Sequence, residues 1–400
     1  MLTAPSCNET ASTAGQTGSP FRIRHNAAAV ALAAVLSIAA PAAHAGTPFR
    51  LGAYLGNPNG SSASAEAAFE ASFSSFTARL KAKPRMILSY IDYTQAVAAW
   101  PSNTSWQAWS NAQSKDAKNL LPVIGLPMYS IAGGAPTPDQ QFQAFANGQY
   151  DAELYAIVQA WQQQAFKNLV FRPGWEMNTA GNTYVGSDSQ SQSDWVAAFR
   201  HIHAVLKKAA QTYGVTAKVV WNPNVTNYAS VSATGVLYPG NAYVDIIAAD
   251  MYADMYPYSD GTTPPTYHDW DTGGEDTSIA QFIADPINRA HYWTYPAATR
   301  WSNDSSQGHS QSFTSLLAFA QQQGKPFAVC ETGAGNSNAA TDVQDDPTFP
   351  QWLAQTLHSA GLPIEFVNIW DSNGGGNYEF SFADDNKPQE AKSWGTHFGN

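Results

Sequence analysis

Apolar residues recur along this chain in two rhythms, every second position over short runs and every three to four positions over longer ones, and the two take turns. Residues 49–55 read as a strand, and 56–60, with Asn and Pro between glycines, as a loop. Phe69, Phe73, Phe76 and Leu80 are spaced four, three and four apart, which puts them on one helical face. Pro84 closes that segment, and 86–92 is a second strand leading into a polar stretch around Trp100, Trp106 and Trp109. The third strand spans 120–129, interrupted by Pro122 and Pro127, with a Gly/Pro-rich loop at 131–138. A helix over about 150–166 carries Leu154, Ile157, Val158, Trp161 and Ala165 on one face and leads into a strand beginning at Leu169. Ser193 or Asp194 can cap the next helix, whose Trp195, Phe199, Ile202 and Leu206 keep helical spacing until Gly214. Strands five and six fall at 218–224 and 244–252, and 253–310 is the longest irregular region. A helix marked by Phe313, Leu316, Leu317 and Ala320 precedes a seventh strand in 325–333; one marked by Phe349, Trp352, Leu353 and Leu357 precedes an eighth at 366–371; residues 389–397 supply a last helix.

Eight apolar strands, mostly separated by helical patterns, predict a single-domain α/β fold, the closed parallel (β/α)8 or TIM barrel. A doubly wound open sheet is the alternative. It would normally carry G-x-G-x-x-G after its first strand, and Gly56-Asn57-Pro58-Asn59-Gly60 lacks that spacing.

The 400 residues are 44% hydrophobic and only 13% charged, with 13 Trp, 18 Tyr and 19 Phe, rings that serve a core and also carbohydrate platforms. A net charge of −11 without a basic stripe argues against nucleic acid as a partner. Residues 22–45 combine a basic start, an apolar stretch over 27–40 and Ala43-His44-Ala45, the pattern of a secretory signal cut before Gly46, with 1–21 as a long polar extension. The domain boundaries are therefore expected at 1–45 for the signal and 46–400 for the barrel, secreted or periplasmic, with no membrane span after cleavage, since the apolar part falls short of ~20 residues. Of the two cysteines only Cys330 lies past that leader, so no internal disulfide is expected there. Strand alternation points Cys330 away from the side that Glu331 faces, as a structural thiol. Asp254, Asp260, Asp269, Asp271, Glu275 and Asp276 cluster in the long loop without a calcium-ligand spacing, and no metal or cofactor is expected.

The reactive candidates come from two strand ends. Residues 169–178, Leu-Val-Phe-Arg-Pro-Gly-Trp-Glu-Met-Asn, turn from apolar to polar and deliver Glu176; counted with period two, Arg172 and Gly174 share its side, and Phe171, Pro173 and Trp175 take the other. Residues 325–333, Lys-Pro-Phe-Ala-Val-Cys-Glu-Thr-Gly, deliver Glu331. A structural ion pair explains Arg172 and Glu176 equally well when they are taken alone. Two glutamates at the C-terminal ends of strands four and seven instead suit glycoside hydrolysis, in which one carboxylic acid protonates the departing oxygen and one carboxylate attacks or activates water.

Four places resemble glycoside hydrolase family 26 and its clan of retaining barrel glycosidases. They are Phe171-Arg172-Pro173 with Glu176-Met177-Asn178, Tyr238-Pro239-Gly240 with Val244-Asp245, Asp250 and Tyr252, Glu331-Thr332-Gly333, and Trp370 on the eighth strand. The resemblance implies Glu176 as acid/base, Glu331 as nucleophile and carboxylates about 5 to 5.5 Å apart. Arg172, Trp175, Asn178, Asn222, Tyr252 and Trp370 are the residues expected around the substrate. Tyr252 is either a hydrogen-bond donor to the nucleophile or an ordinary rim tyrosine, Trp370 is expected as a sugar platform, and Asn222 with Asn224 share one face of strand five, where either could bind hydroxyls or form a turn. The chain departs from the family at Trp175, where a histidine usually precedes the acid/base, and at Thr179-Ala180-Gly181-Asn182-Thr183-Tyr184, which replaces an aromatic-rich segment. The resemblance thus implies an endo-acting O-glycosyl hydrolase working on mannan, mixed-linkage glucan or xylan; a monomer is expected, and a non-catalytic polysaccharide-binding barrel is the alternative. Tyr256, Tyr258, Trp270, Tyr292, Trp293 and Trp301 are further stacking candidates in the long loop.

Overall fold

The computed structural model describes residues 49–56, 62–102, 120–179, 189–225, 233–252, 313–333, 345, 347–373, 381–382 and 387–399, together with the backbone of two short strands at 267–268 and 275–276. The chain divides into Met1–His44, none of it within the described residues, and Ala45–Asn400, which holds the fold.

Eight strands close a parallel barrel in chain order: β1 Leu51–Tyr54, β2 Met86–Tyr90, β3 Leu121–Leu126, β4 Asn168–Pro173, β5 Thr216–Trp221, β6 Ile246–Tyr252, β7 Phe327–Gly333 and β8 Ile364–Trp370, with β8 pairing back onto β1. The (β/α)8 architecture expected from the alternating rhythms is therefore the fold. Around it lie α1 Ala63–Leu80, α2 Pro138–Ala146, α3 Asp151–Gln163, α4 Ser189–Tyr213, α5 Phe313–Gln323, α6 Thr348–Ser359 and α7 Pro388–Phe398. No helix among the described residues is long and apolar enough to cross a membrane.

Period two sorts each strand into two cores. Met86, Leu88, Val123, Val170, Val220, Ile246, Ala248, Ala328, Cys330 and Phe366 form the cluster inside the barrel. The intervening positions, such as Ile87, Ile124, Phe171, Val219, Ile247, Val329 and Val367, join the helices' apolar faces in the larger outer core. Four of those helical residues are Phe69, Phe73, Phe76 and Leu80 of α1, as their spacing predicts.

One helix is added and two local expectations are corrected. Residues 138–146 form a helix to which the sequence reading assigns no element; Thr137 starts it with a capping box closed by Gln140, and Phe142 and Phe145 are buried on its inner face. Helix α4 begins at Ser189, so Ser193 and Asp194 lie within it, and Asp194 accepts from Gln143 Nε2 (2.8 Å) and Gln190 Nε2 (2.8 Å). Helix α3 stops at Gln163, and Ala165 sits beyond it at φ +68. Inside the long irregular region a two-stranded antiparallel pair joins Tyr267–His268 to Glu275–Asp276. The other loop candidates, Tyr256, Tyr258, Trp270, Tyr292, Trp293, Trp301 and the aspartates 254, 260, 269 and 271, lie outside the described residues, as do Trp106, Trp109 and the leader.

Candidate active site

Strand β4 ends at Pro173, and the chain then turns rather than continuing its alternation. Gly174 takes φ +54, and a Cβ there would lie 2.7 Å from Met128 Sδ and 2.9 Å from Trp195 Nε1, so both backbone and space require glycine. Glu176 also has a positive φ of +52, a conformation costing an L-residue roughly 1–2 kcal/mol. It is held by its own N–H donating to Asn222 O (2.8 Å) and by Thr179, whose N–H and hydroxyl donate to Glu176 O (2.9 and 3.0 Å).

This turn corrects the side assigned to Trp175. Its ring lies 4.9 Å from that of Tyr90, which itself donates to Glu331, so Trp175 stands beside the carboxylates and not opposite them. Tyr54 and Trp370 extend the same aromatic group, with ring centroids 4.0 Å apart and Tyr54 5.4 Å from Tyr90. Trp370 is half-buried, and its Nε1 donates to Ser372 O (2.8 Å).

A bulge in β7 corrects the second alternation. Ala249 pairs with Val329 and Asp250 with Glu331, so Cys330 is one residue too many for β6; against β8 the register shifts over the same stretch. An extra residue re-aims the side chains after it. Cys330 belongs to the interior cluster and Glu331 also reaches the interior, so the thiol and the carboxylate share a side. Cys330 is fully buried, and burial pushes its thiol well above the usual range, which leaves it inert.

Arg172 connects these pieces. It is fully buried, and donates from Nε to Asn222 Oδ1 (2.7 Å), from Nη1 to Tyr90 OH (2.9 Å), and from Nη2 to Asp250 Oδ2 (2.6 Å) and Glu331 Oε1 (2.9 Å). Burial works against its charge, but Asp250, Tyr90 and the neighbouring groups outweigh that and hold the guanidinium firmly protonated. Tyr252 donates to Glu331 Oε2 (2.9 Å), the contact expected of it; burial pushes its phenol well above the ordinary value, so it remains a donor. Asp250 is pushed well above the usual carboxylate range by burial, Arg172 opposing and Glu331 and Glu176 adding.

Glu176 Oε1 accepts from Asn224 Nδ2 (2.6 Å). Asn178 fixes that amide in place: its Nδ2 donates to Asn224 O and its Oδ1 accepts from Asn224 N, both at 2.8 Å. Arg172, Asn178 and Asn222 are thus all brought to the site, but each is wholly buried, with its side chain bonded to protein. Tyr90 and Tyr54 are the residues that the sequence candidates omit, and Asp250, quoted only as part of the family resemblance, is given no place in the site by them. The same period-two count signals them, since each lies at or near the end of the inward-facing row of its strand.

One oxygen each from Glu176, Asp250 and Glu331 lies within 4.8 Å of the others, a spacing a cation could bridge. Arg172 already places Nη2 on two of the three, so the protein supplies a positive charge where a metal would stand.

No protein-family model matches the chain, and no curated protein sequence does. Solved structures do match. The catalytic domain of the family 26 endo-β-1,4-mannanase from Bacillus sp. JAMB-750 aligns with a TM-score of 0.50 and 12% identity, over 87% of this chain and 85% of that one. Bacillus subtilis mannanase BCman aligns with a TM-score of 0.49 and 16% identity over 87% and 86%. A modular endo-β-1,4-mannanase from Cellulomonas fimi aligns with a TM-score of 0.48 and 13% identity over 87% and 71%. What this chain shares with the JAMB-750 enzyme is the barrel fold.

Proposed function

We propose that the chain is a retaining glycoside hydrolase of the family 26 kind, cutting within a neutral β-linked polysaccharide, with mannan the first candidate and mixed-linkage glucan and xylan next. The observation that carries this is the pairing of Glu176 and Glu331, from the ends of β4 and β7, with one carboxylate oxygen of each within 4.8 Å of the other. Inverting enzymes need a wider gap, about 6.5–9.5 Å, to admit water between the two groups. Such closeness supports direct attack.

In the first step a Glu331 oxygen bonds to the anomeric carbon while the bond to the leaving oxygen breaks; that oxygen keeps the electron pair and takes the proton of Glu176. In the second, water gives a proton to Glu176 and bonds to the same carbon, and the pair of the breaking ester bond returns to Glu331. Trp370 provides the ring on which the cleaved sugar stacks, with Trp175 and Tyr54 flanking it. Arg172, Asn178 and Asn222 act from behind, by positioning. The leader pattern in 1–45 supports export with cleavage before Gly46, which N-terminal sequencing of the secreted protein checks.

Release of reducing ends from a panel of neutral β-glycans, measured for the purified protein beside Glu176→Ala and Glu331→Ala, tests the function. One glycan should be cut by the parent, with the acid/base variant slower by about 10²–10⁴-fold and the nucleophile variant at least as impaired. A parent that cuts nothing, or a Glu331→Ala protein that cuts normally, would overturn the proposal.

A further inference from the structure

Glu331 has two chemically different oxygens. Among the described residues, Oε1 accepts from Arg172 Nη2 (2.9 Å) and from Tyr90 OH, while Oε2 accepts from Tyr252 OH (2.9 Å). Each oxygen of a carboxylate offers two lone-pair sites. Those of Oε1 are both taken by these donors, whereas Tyr252 takes one of the two on Oε2.

Tyr90 is fixed in this role from two directions. It ends the inward row Met86, Leu88, Tyr90 of β2 and stands in register with Gly125 of β3, where a Cβ would overlap its ring. Its oxygen accepts from Arg172 Nη1 (2.9 Å), which leaves the phenol's one hydrogen for Glu331. Burial pushes the phenol well above its ordinary value, with Arg172 opposing, so the hydrogen stays on.

We propose that Oε2 of Glu331 is the attacking atom, and that Tyr90 is a positioning residue whose hydrogen bond to Oε1 serves the second chemical step. This rests on the function proposed above and adds the division of labour between the two oxygens. As Oε2 bonds to the anomeric carbon and the leaving oxygen departs with its electron pair and the Glu176 proton, Oε1 becomes an ester carbonyl and loses negative charge. When water, deprotonated by Glu176, displaces the ester, the pair of the breaking bond returns to the carboxylate and charge reappears on Oε1, between Tyr90 and Arg172. A donor on Oε1 is therefore weakened in the first transition state and strengthened in the second.

The test uses 2,4-dinitrophenyl β-glycosides of mannose, glucose and xylose, taking the one that the parent turns over. Tyr90→Phe keeps the ring and removes the hydrogen. It should lower kcat by about 10- to 100-fold, lower KM in parallel, leave kcat/KM nearly unchanged, and give a burst of one equivalent of dinitrophenolate. A fall in kcat/KM that matches the fall in kcat, without a burst, would mean that Tyr90 only holds geometry, and unchanged kinetics would equally overturn the proposal. A second measurement needs no variant. The parent trapped with the corresponding 2-deoxy-2-fluoro glycoside should crystallise as an ester through Oε2, with Oε1 in hydrogen-bond reach of Tyr90 OH, and an ester through Oε1 refutes the assignment. A parent that cuts no glycan and turns over none of these glycosides fails the function itself, and the inference falls with it.

Discussion

Two layers inside the barrel are built by the same strands, two residues apart, and have opposite chemistry. Leu88, Val170, Val220 and Ala248 belong to the apolar interior cluster; Tyr90, Arg172, Asn222 and Asp250, each two positions further along the same run of chain, form the charged and hydrogen-bonded layer that carries Glu331. Alternation alone places both sets inward and does not distinguish them. The lower layer gains by excluding water from apolar surface, while the upper one buries groups that cost free energy unless every charge finds a partner. Stability should depend on both layers, and turnover on the upper one alone.

The largest test of that separation is Arg172→Met. It removes the fork that meets Asn222, Tyr90, Asp250 and Glu331, and leaves two buried carboxylates without their cation. Breaking a buried pair in this way costs about 3–5 kcal/mol. Urea denaturation should register that loss and the glycan assay a loss of turnover, and Arg172→Lys should not restore either, because a point charge cannot reach four partners in a plane. Phe366→Ala, in the apolar layer, should cost about 3–5 kcal/mol by leaving a cavity. Its kcat at a temperature where the variant is folded should stay within about twofold of the parent. If Phe366→Ala lowered kcat as far as Arg172→Met does, the layers would not be separable.

The barrel and the two glutamates are legible in the sequence because β strands ending in polar residues repeat the same signal, most clearly in the runs that lead to Glu176 and Glu331. Three features are not legible, each for a physical reason. The turn at Gly174 and Glu176 depends on positive φ at a glutamate, which its composition does not announce. The β7 bulge at Cys330 is a register relation with β6 and β8, and so is invisible within one strand. Helix α2 hides because its buried face includes Gln141, an amide that bonds Ser130 N, Ser130 O and Pro136 O where an apolar residue would be looked for. Tyr90 and Asp250 are within reach of the period-two count, but a tyrosine and an aspartate in apolar runs look like ordinary strand residues until the barrel closes and brings both onto Arg172.

The smallest expected effect sharpens the comparison most, because it lies where the upper layer meets the rim. Asn224 follows β5, has its backbone clasped by Asn178, and donates from Nδ2 to Glu176 Oε1 (2.6 Å). If Glu176 is the acid proposed above, a donor on Oε1 would favour its proton on the other oxygen. Asn224→Ala should therefore lower kcat/KM on a glycan by roughly tenfold, about 1.4 kcal/mol, as a lost hydrogen bond to a charged or reacting group would. The same variant should lose nothing on a dinitrophenyl glycoside, whose leaving group needs no proton. Equal losses on both substrates would place Asn224 in the scaffold of the turn, and the upper layer would then reach the rim as structure and not as part of the acid.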